Sequence, residues 1–252
     1  MFDVSDTAYD NFMGRYSMRL APVFADFAGV QAGEHVLDVG AGTGALTVEL
    51  VRRGAQVAAI DPSPSFAASL ARRLPDADVR HGPAEELPWP DESFDGALAQ
   101  LVLTFMNDAP RGVAEMRRVV KPGCVVATCM WDRDGMEMLA AVNRTQRALA
   151  DDGAATEART AYRTRAEIEA LFAGDGFDDV RTELLEVEAG YTGFDEFWAA
   201  LGGGVGPAGA WLKELKDGRR DAAHDEVFRQ IGAPTGAFTL TGRAWATRAT
   251  RA

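Results

Sequence analysis

The chain predicts an α/β fold: a seven-stranded, mostly parallel sheet with helices on both faces. Three observations lead there. Apolar runs of strand length alternate with amphipathic runs of helix length between residues 35 and 131, the rhythm of a parallel sheet wound on both sides. The first apolar run opens directly into glycines at alternate positions, Gly40, Gly42 and Gly44, and then into a helical pattern. At 252 residues and 47% hydrophobic, the chain is long enough for one large domain with a full core, and two independent domains are not expected.

The elements follow in order. From Ser17 to Phe27, Met18, Ala21, Phe24 and Ala25 recur at helical spacing, and Ser17 is placed to cap the helix. The first strand is read at 35–39 with its helix at 45–53, the second strand at 56–60 with its helix at 64–74, and the third strand at 78–81. The fourth strand covers 94–101; a helix over 107–120 stops at Lys121-Pro-Gly, and the fifth strand covers 124–130. Cys124 and Cys129 fall in that strand at an odd separation, on opposite faces, so neither a disulfide nor a zinc pattern is expected, and no metal site. After Trp131 the rhythm changes to helices at 136–150 and 165–173, a sixth strand at 179–187, and a last strand at about 236–247. The segment between, with Gly202-Gly-Gly204, Pro207 and several aromatics, reads as an insertion between the last two strands.

Charge and hydropathy narrow the partners. The formal net charge of −12 works against a general attraction to nucleic acid or to an anionic membrane. The N-terminal residues lack a basic stretch followed by an apolar one, and no run of about 18 apolar residues occurs, so the cytoplasm is the expected compartment. A small or neutral substrate fits best, and a homodimer stays open.

The run His35-Val-Leu-Asp-Val-Gly-Ala-Gly-Thr-Gly44 joins a buried strand to a turn that only glycine tolerates, where the backbone can approach a ligand. The amides that open the next helix are expected to face a polar ligand. Gly40-x-Gly42-x-x-Ala45 also satisfies a dinucleotide pattern, so the glycines leave two cofactors open. Asp38, two positions before the first glycine, would sit badly against a pyrophosphate and suits a cationic ammonium. Strand two ends in Asp61-Pro62, with the acid 21 residues after Gly40, where a carboxylate can accept both ribose hydroxyls; the plainer reading is a cap for the helix that starts near Pro64.

Val36-Leu-Asp-Val-Gly-Ala-Gly-Thr-Gly44 resembles the first motif of the class I S-adenosylmethionine-dependent methyltransferases, (V/L)LD(V/I)GxGxG. The run from His81 to Asp95, with Ala84-Glu-Glu-Leu-Pro88 at its centre, resembles that family's G-(D/x)-A-E-x-L-P-F-x-D-x-S-F-D stretch. Ala8-Tyr-Asp-Asn-Phe-Met-Gly-Arg-Tyr-Ser17 resembles the entry segment of one branch, similar to the small-molecule enzymes of ubiquinone and menaquinone biosynthesis. The resemblance runs from Tyr9 to Trp131 and weakens beyond. It implies a Rossmann-like sheet whose last strand is antiparallel and whose late helical insertion covers the substrate.

On the family's pattern, S-adenosylmethionine is expected against Asp38, Gly40, Gly42, Gly44, Asp61 and Pro62, with Ala84 by its backbone and Glu85 flanking the adenine. Pro83 stands where relatives often carry Asp, which removes one contact to the adenine amine. Gln100, with Ala99 and Leu101, ends strand four and is expected beside the methionine portion; Tyr9 and Arg15 are expected near its polar end, against the plainer reading of a surface helix or frayed tail. The division implied is one domain over 1–252: a cap segment at 1–30, the cofactor-binding core at 31–131, helices and the sixth strand at 132–188, a substrate lid at 189–232, and the last strand at 233–252.

The acceptor side is less defined. Many relatives carry a histidine just after strand four, where this chain has Thr104 and Phe105; Phe105 and Trp131 are candidates to border the substrate, with packing as the plainer role for Phe105 and a plug in the pocket floor as that for Trp131. His224, among Asp221, Asp225 and Glu226, and Asp132 are the candidate bases, and a solvated helix face is the plainer reading for His224. Methyl transfer from a sulfonium needs alignment and exclusion of water, and a base only when the acceptor must lose a proton. The expected function is therefore methylation of oxygen, carbon or nitrogen on a small molecule. The alternatives are a nicotinamide-dependent oxidoreductase and a protein that binds S-adenosylmethionine without transferring its methyl group.

Overall fold

In a computed structural model of the protein, residues 10–149, 161–174, 176–203 and 206–252 are described. A π-helical turn at Asp10–Gly14 leads into α1 (Arg15–Ala28). Then come β1 (His35–Val39), α2 (Ala45–Arg52), β2 (Gln56–Asp61), α3 (Pro64–Arg73), β3 (Asp78–His81), β4 (Phe94–Gln100) and α4 (Ala109–Val119). The chain continues through β5 (Val120–Met136), α5 (Glu137–Leu149), α6 (Arg165–Glu169), β6 (Phe177–Tyr191), α7 (Phe194–Gly202), α8 (Gly206–Glu214), α9 (Asp217–Gln230) and β7 (Phe238–Arg251). One seven-stranded sheet forms, in the order β3-β2-β1-β4-β5-β7-β6, mostly parallel with the last strands antiparallel.

β1 pairs in parallel with β2 and β4, Val39 opposite Ile60 and Val36 opposite Gly96. It is buried from Val36 onward, as expected for a central strand covered on both faces. That placement aims the carboxyl ends of β1, β2 and β4 at one edge of the sheet, where open α/β folds hold ligands.

Two expectations are corrected. Ser17 does not cap the first helix: α1 begins at Arg15, and Ser17 lies buried inside it, because the π turn already supplies the entry. Lys121-Pro-Gly is not a stop between helix and strand. β5 starts at once at Val120, opposite Phe94, and its register against β4 shifts before Gly96 meets Val125, so Pro122 and Gly123 (φ 77°) occupy a bulge.

The chain divides into two compact units. One comprises 17–132, 160–185 and 244–252. Its core gathers Leu37, Val39, Ile60, Phe94, Ala97, Val113, Met116, Val126 and Phe172. Ser63 caps α3, accepting from the Phe66 amide, and Asp108 caps α4, accepting from the Arg111 amide. The other unit comprises 1–16, 133–159 and 186–243. Its core is aromatic: Phe197 stands edge-on to Tyr191, Tyr191 stacks on Phe238, and the Tyr16 and Tyr191 hydroxyls lie 3.2 Å apart. Burial, with the neighbouring Tyr191 and Glu137, drives the Tyr16 phenol far above its ordinary range and keeps it neutral.

Candidate functional site at the carboxyl ends of the first strands

The glycine turn after β1 is rigid because the protein itself takes up its amides. Gly40 and Ala41 both donate to the Ile60 carbonyl, at 2.8 and 3.0 Å, and Gly44 donates to Ala41. Gly42 donates to Asp61 Oδ2 at 2.7 Å. These four amides are already spent within the protein, so a pyrophosphate would find none of them free; the amides that open α2, the ones expected to face a polar ligand, are a separate set.

The three glycines have different reasons. All have positive φ, at 73°, 55° and 86°. A Cβ at Gly40 would lie 2.3 Å from Val102 Cγ2, and one at Gly44 would lie 2.4 Å from Leu70 Cδ1. At Gly42 nothing stands within 4 Å, so its missing side chain leaves open space beside the turn.

Two carboxylates flank the turn. Asp38 is 1% exposed and accepts from Thr47 Oγ1 at 2.5 Å, so the helix after the turn clamps the acid before it. Burial pushes Asp38 up to about 7 against the pull of Thr47, and the nearby Asp61 adds to the rise. Asp61 is also raised, chiefly by burial, while the Ser63 and Gly42 amides hold it down. It accepts from Ser63 N through Oδ1 and from Gly42 N through Oδ2, which fixes the plane of the carboxylate. The cap of α3 is Ser63, not Asp61. His81 Nε2 lies 3.1 Å from the carbonyl of Pro62, which can only accept, so that ring nitrogen carries the proton.

Beyond β3, Ala84 is buried and Glu85 accepts from the Asp108 amide at 3.0 Å, while the Glu85 carbonyl accepts from Arg111. Glu85 thereby ties this loop to the start of α4. At the end of β4, Gln100 is 9% exposed; its Nε2 donates to the Ser17 carbonyl at 3.0 Å, and its Oε1 has no hydrogen-bond partner. Leu101 follows with φ 63°, a strained conformation for leucine, its amide held by the Cys129 carbonyl.

The remaining candidates separate. Phe105 is not packed into the core: 58% of it is exposed. Trp131 is buried, and Asp132 accepts from Trp245 Nε1 at 2.8 Å. Arg15 and His224 belong to the other unit. Arg15 pairs with Glu196, donates to the Gly190 carbonyl and lies over the Tyr191 ring. His224 is not on a fully solvated helix face: it stands edge-on to Phe194 and Trp198, with Asp225 at 3.0 Å. Tyr9 lies outside the described residues, as does the start of its entry segment. Sequence reading missed Thr47, Val102 and His81. Thr47 stands nine residues after Asp38, in the first turn of α2, and a hydroxyl there was the available signal.

Comparison with known proteins bears on this edge of the sheet. Residues 37–128 match a family model described as a methyltransferase domain. An uncharacterized methyltransferase of Mycobacterium bovis is 42% identical over 92 residues, 36% of this chain and 37% of that protein. A demethylmenaquinone methyltransferase of Renibacterium salmoninarum is 37% identical over 127 residues, 49% of this chain and 54% of that protein. The matches thus span about a third to a half of these curated relatives. Among solved structures, a SAM-dependent methyltransferase from Aquifex aeolicus shares the fold, with a TM-score of 0.56 at 18% identity over 74% of this chain and 94% of that one.

Proposed function

We propose that this chain, which carries a class I S-adenosylmethionine-dependent methyltransferase domain, transfers a methyl group to a small-molecule acceptor at the carboxyl ends of β1, β2 and β4. The observation that carries the proposal is Asp61: a carboxylate fixed by two backbone amides beside the one turn position, Gly42, where open space replaces a side chain.

The residues fit the cofactor in charge as well as in space. Asp61 keeps lone pairs on both oxygens for the ribose hydroxyls, with Pro62 and the Gly40–Gly44 turn beside it. Asp38 and the unpartnered Gln100 Oε1, both acceptors, suit the cationic methionine end. Ala84 and Glu85 border the adenine. The spent turn amides favour this over a dinucleotide, whose pyrophosphate needs donors.

When bound, S-adenosylmethionine supplies a methyl group on a sulfonium, which departs as a neutral thioether. The work of the protein is then positional. Asp61 and the turn hold one end, Asp38 and Gln100 the other, and the acceptor atom is held in line with the methyl group away from water. The acceptor is a small molecule bearing a nucleophilic oxygen, nitrogen or carbon.

Calorimetric titration with S-adenosylmethionine, S-adenosylhomocysteine and NADH tests the cofactor. Binding of the first two is expected; binding of NADH alone overturns the reading. Incubation with S-adenosylmethionine and a panel of phenols, amines and activated carbon acids, followed by mass spectrometry, tests transfer. Cofactor binding with no product across the panel would leave a binding protein in place of the enzyme.

A further inference from the structure

β6 ends the sheet, and among the described residues no strand pairs with its outer edge. Such an edge is a row of unpaired amides and carbonyls that templates another strand unless it is blunted. The opposite edge strand, β3, is blunted: it is four residues long, and Asp78 and Arg80 on it form an ion pair that also engages Trp89. β6 is 15 residues long. Val180 and Leu184 on it, 43% and 42% exposed, are two large apolar side chains left in solvent, and Arg181 and Glu183 between them are exposed as well.

The order of these residues decides what can cover them. An antiparallel copy of the same strand, related by a two-fold axis through Thr182, sets Val180 opposite Leu184 and Arg181 opposite Glu183, each pair occurring twice. The apolar pair shares the face of Thr182, and the ion pair shares the other. Neighbouring registers lack this match. An axis through Arg181 sets Asp179 against Glu183, and an axis through Glu183 sets that carboxylate against its own copy. Thr182 itself is tied to the sheet through the Thr247 hydroxyl at 2.8 Å, which anchors the strand at the axis. Asp179, with φ 51°, breaks the extended backbone and ends the pairing just outside Val180.

We infer that the chain associates with a second copy of itself by antiparallel pairing of residues 180–184 of β6 about Thr182. The contact is short, so the dimer is concentration-dependent rather than permanent.

Sedimentation equilibrium of the full chain from about 1 to about 100 μM tests this, with circular dichroism of each variant as the check on folding. The wild type is expected to pass from monomer to dimer over that range. Arg181→Glu or Glu183→Arg alone sets like charges opposite each other twice and is expected to weaken dimerisation about tenfold. The double variant Arg181→Glu/Glu183→Arg restores opposite charges and is expected to return to within about threefold of wild type. A wild type that stays monomeric throughout overturns the inference. So does a dimer indifferent to the single reversals, or a folded double variant that does not recover.

Discussion

The backbone amide of Gly42 donates to the side chain of Asp61 at 2.7 Å, so the turn after β1 is braced by the last residue of β2. With Ser63 N on its other oxygen, this carboxylate cannot rotate, and a rigid acceptor loses no side-chain entropy when a ligand binds. Asp61→Ala is expected to weaken S-adenosylmethionine binding by about 1.5–3 kcal/mol, the range for hydrogen bonds to a charged group. The core contacts of β2 are untouched, so the circular dichroism spectrum should stay that of the wild type. Affinity equal to wild type by calorimetry would remove Asp61 from the site.

Gly40 and Gly42 should respond differently to the same substitution. Both pay the cost of a positive φ, about 1 kcal/mol for alanine. Only Gly40→Ala also drives a methyl into Val102, 2.3 Å away, so its total loss in urea denaturation should be about 2–4 kcal/mol. Adding Val102→Ala should recover part of that loss, because the obstructing atoms are then gone. Gly42→Ala should lose about 1 kcal/mol of stability yet weaken S-adenosylmethionine binding more than tenfold, since its methyl enters the open space. Equal stability losses in the two variants would mean that Val102 yields freely.

This contrast also marks where the sequence was legible. Periodicity places every strand from β1 to β4 within a residue; for β1, β2 and β4 the reason is that central parallel strands are continuous apolar runs bounded by glycine and proline. It fails at β5, where Pro122-Gly123 has the composition of a turn but sits in a bulge that only the register with β4 creates. Three glycines in a motif look alike in sequence. The causes at Gly40 and Gly44 lie in Val102 and Leu70, residues remote in the chain that no local pattern connects to them, and at Gly42 no side chain stands near. Likewise Arg15 reads as a cation for the polar end of the cofactor, and its partner Glu196 stands 181 residues later.

That pair carries a prediction of its own. Glu196 accepts from Thr192 N at 2.7 Å and Thr192 Oγ1 at 2.8 Å besides Arg15, which together hold its carboxyl down at about 2. An acid depressed on folding stabilises the folded state above its ordinary value, and that contribution fades as pH falls through the folded value. Both side chains are partly in solvent, so Glu196→Gln should cost only about 1 kcal/mol near neutrality. The gap between the two proteins in thermal denaturation should hold from about pH 7 down to about 4.5 and narrow from there towards about 2. A gap independent of pH would mean that ionisation of Glu196 contributes nothing.

Asp38 has the opposite sign. Burial lifts it from 3.8 to about 7, so the folded chain holds a proton that the unfolded chain releases. Stability from this position is therefore present at low pH, declines as pH rises from about 4 to about 7, and stays lost above. Asn at this position does not titrate. In urea denaturation, Asp38→Asn should gain on the wild type as pH rises from about 4 to about 7 and hold that gain above. Binding should move the other way: the cationic end of S-adenosylmethionine favours the carboxylate, so wild-type affinity should rise as pH passes through about 7. The Asn variant should bind more weakly and lack that rise. Parallel affinity profiles for the two proteins would detach Asp38 from the cofactor while leaving the stability prediction to stand alone.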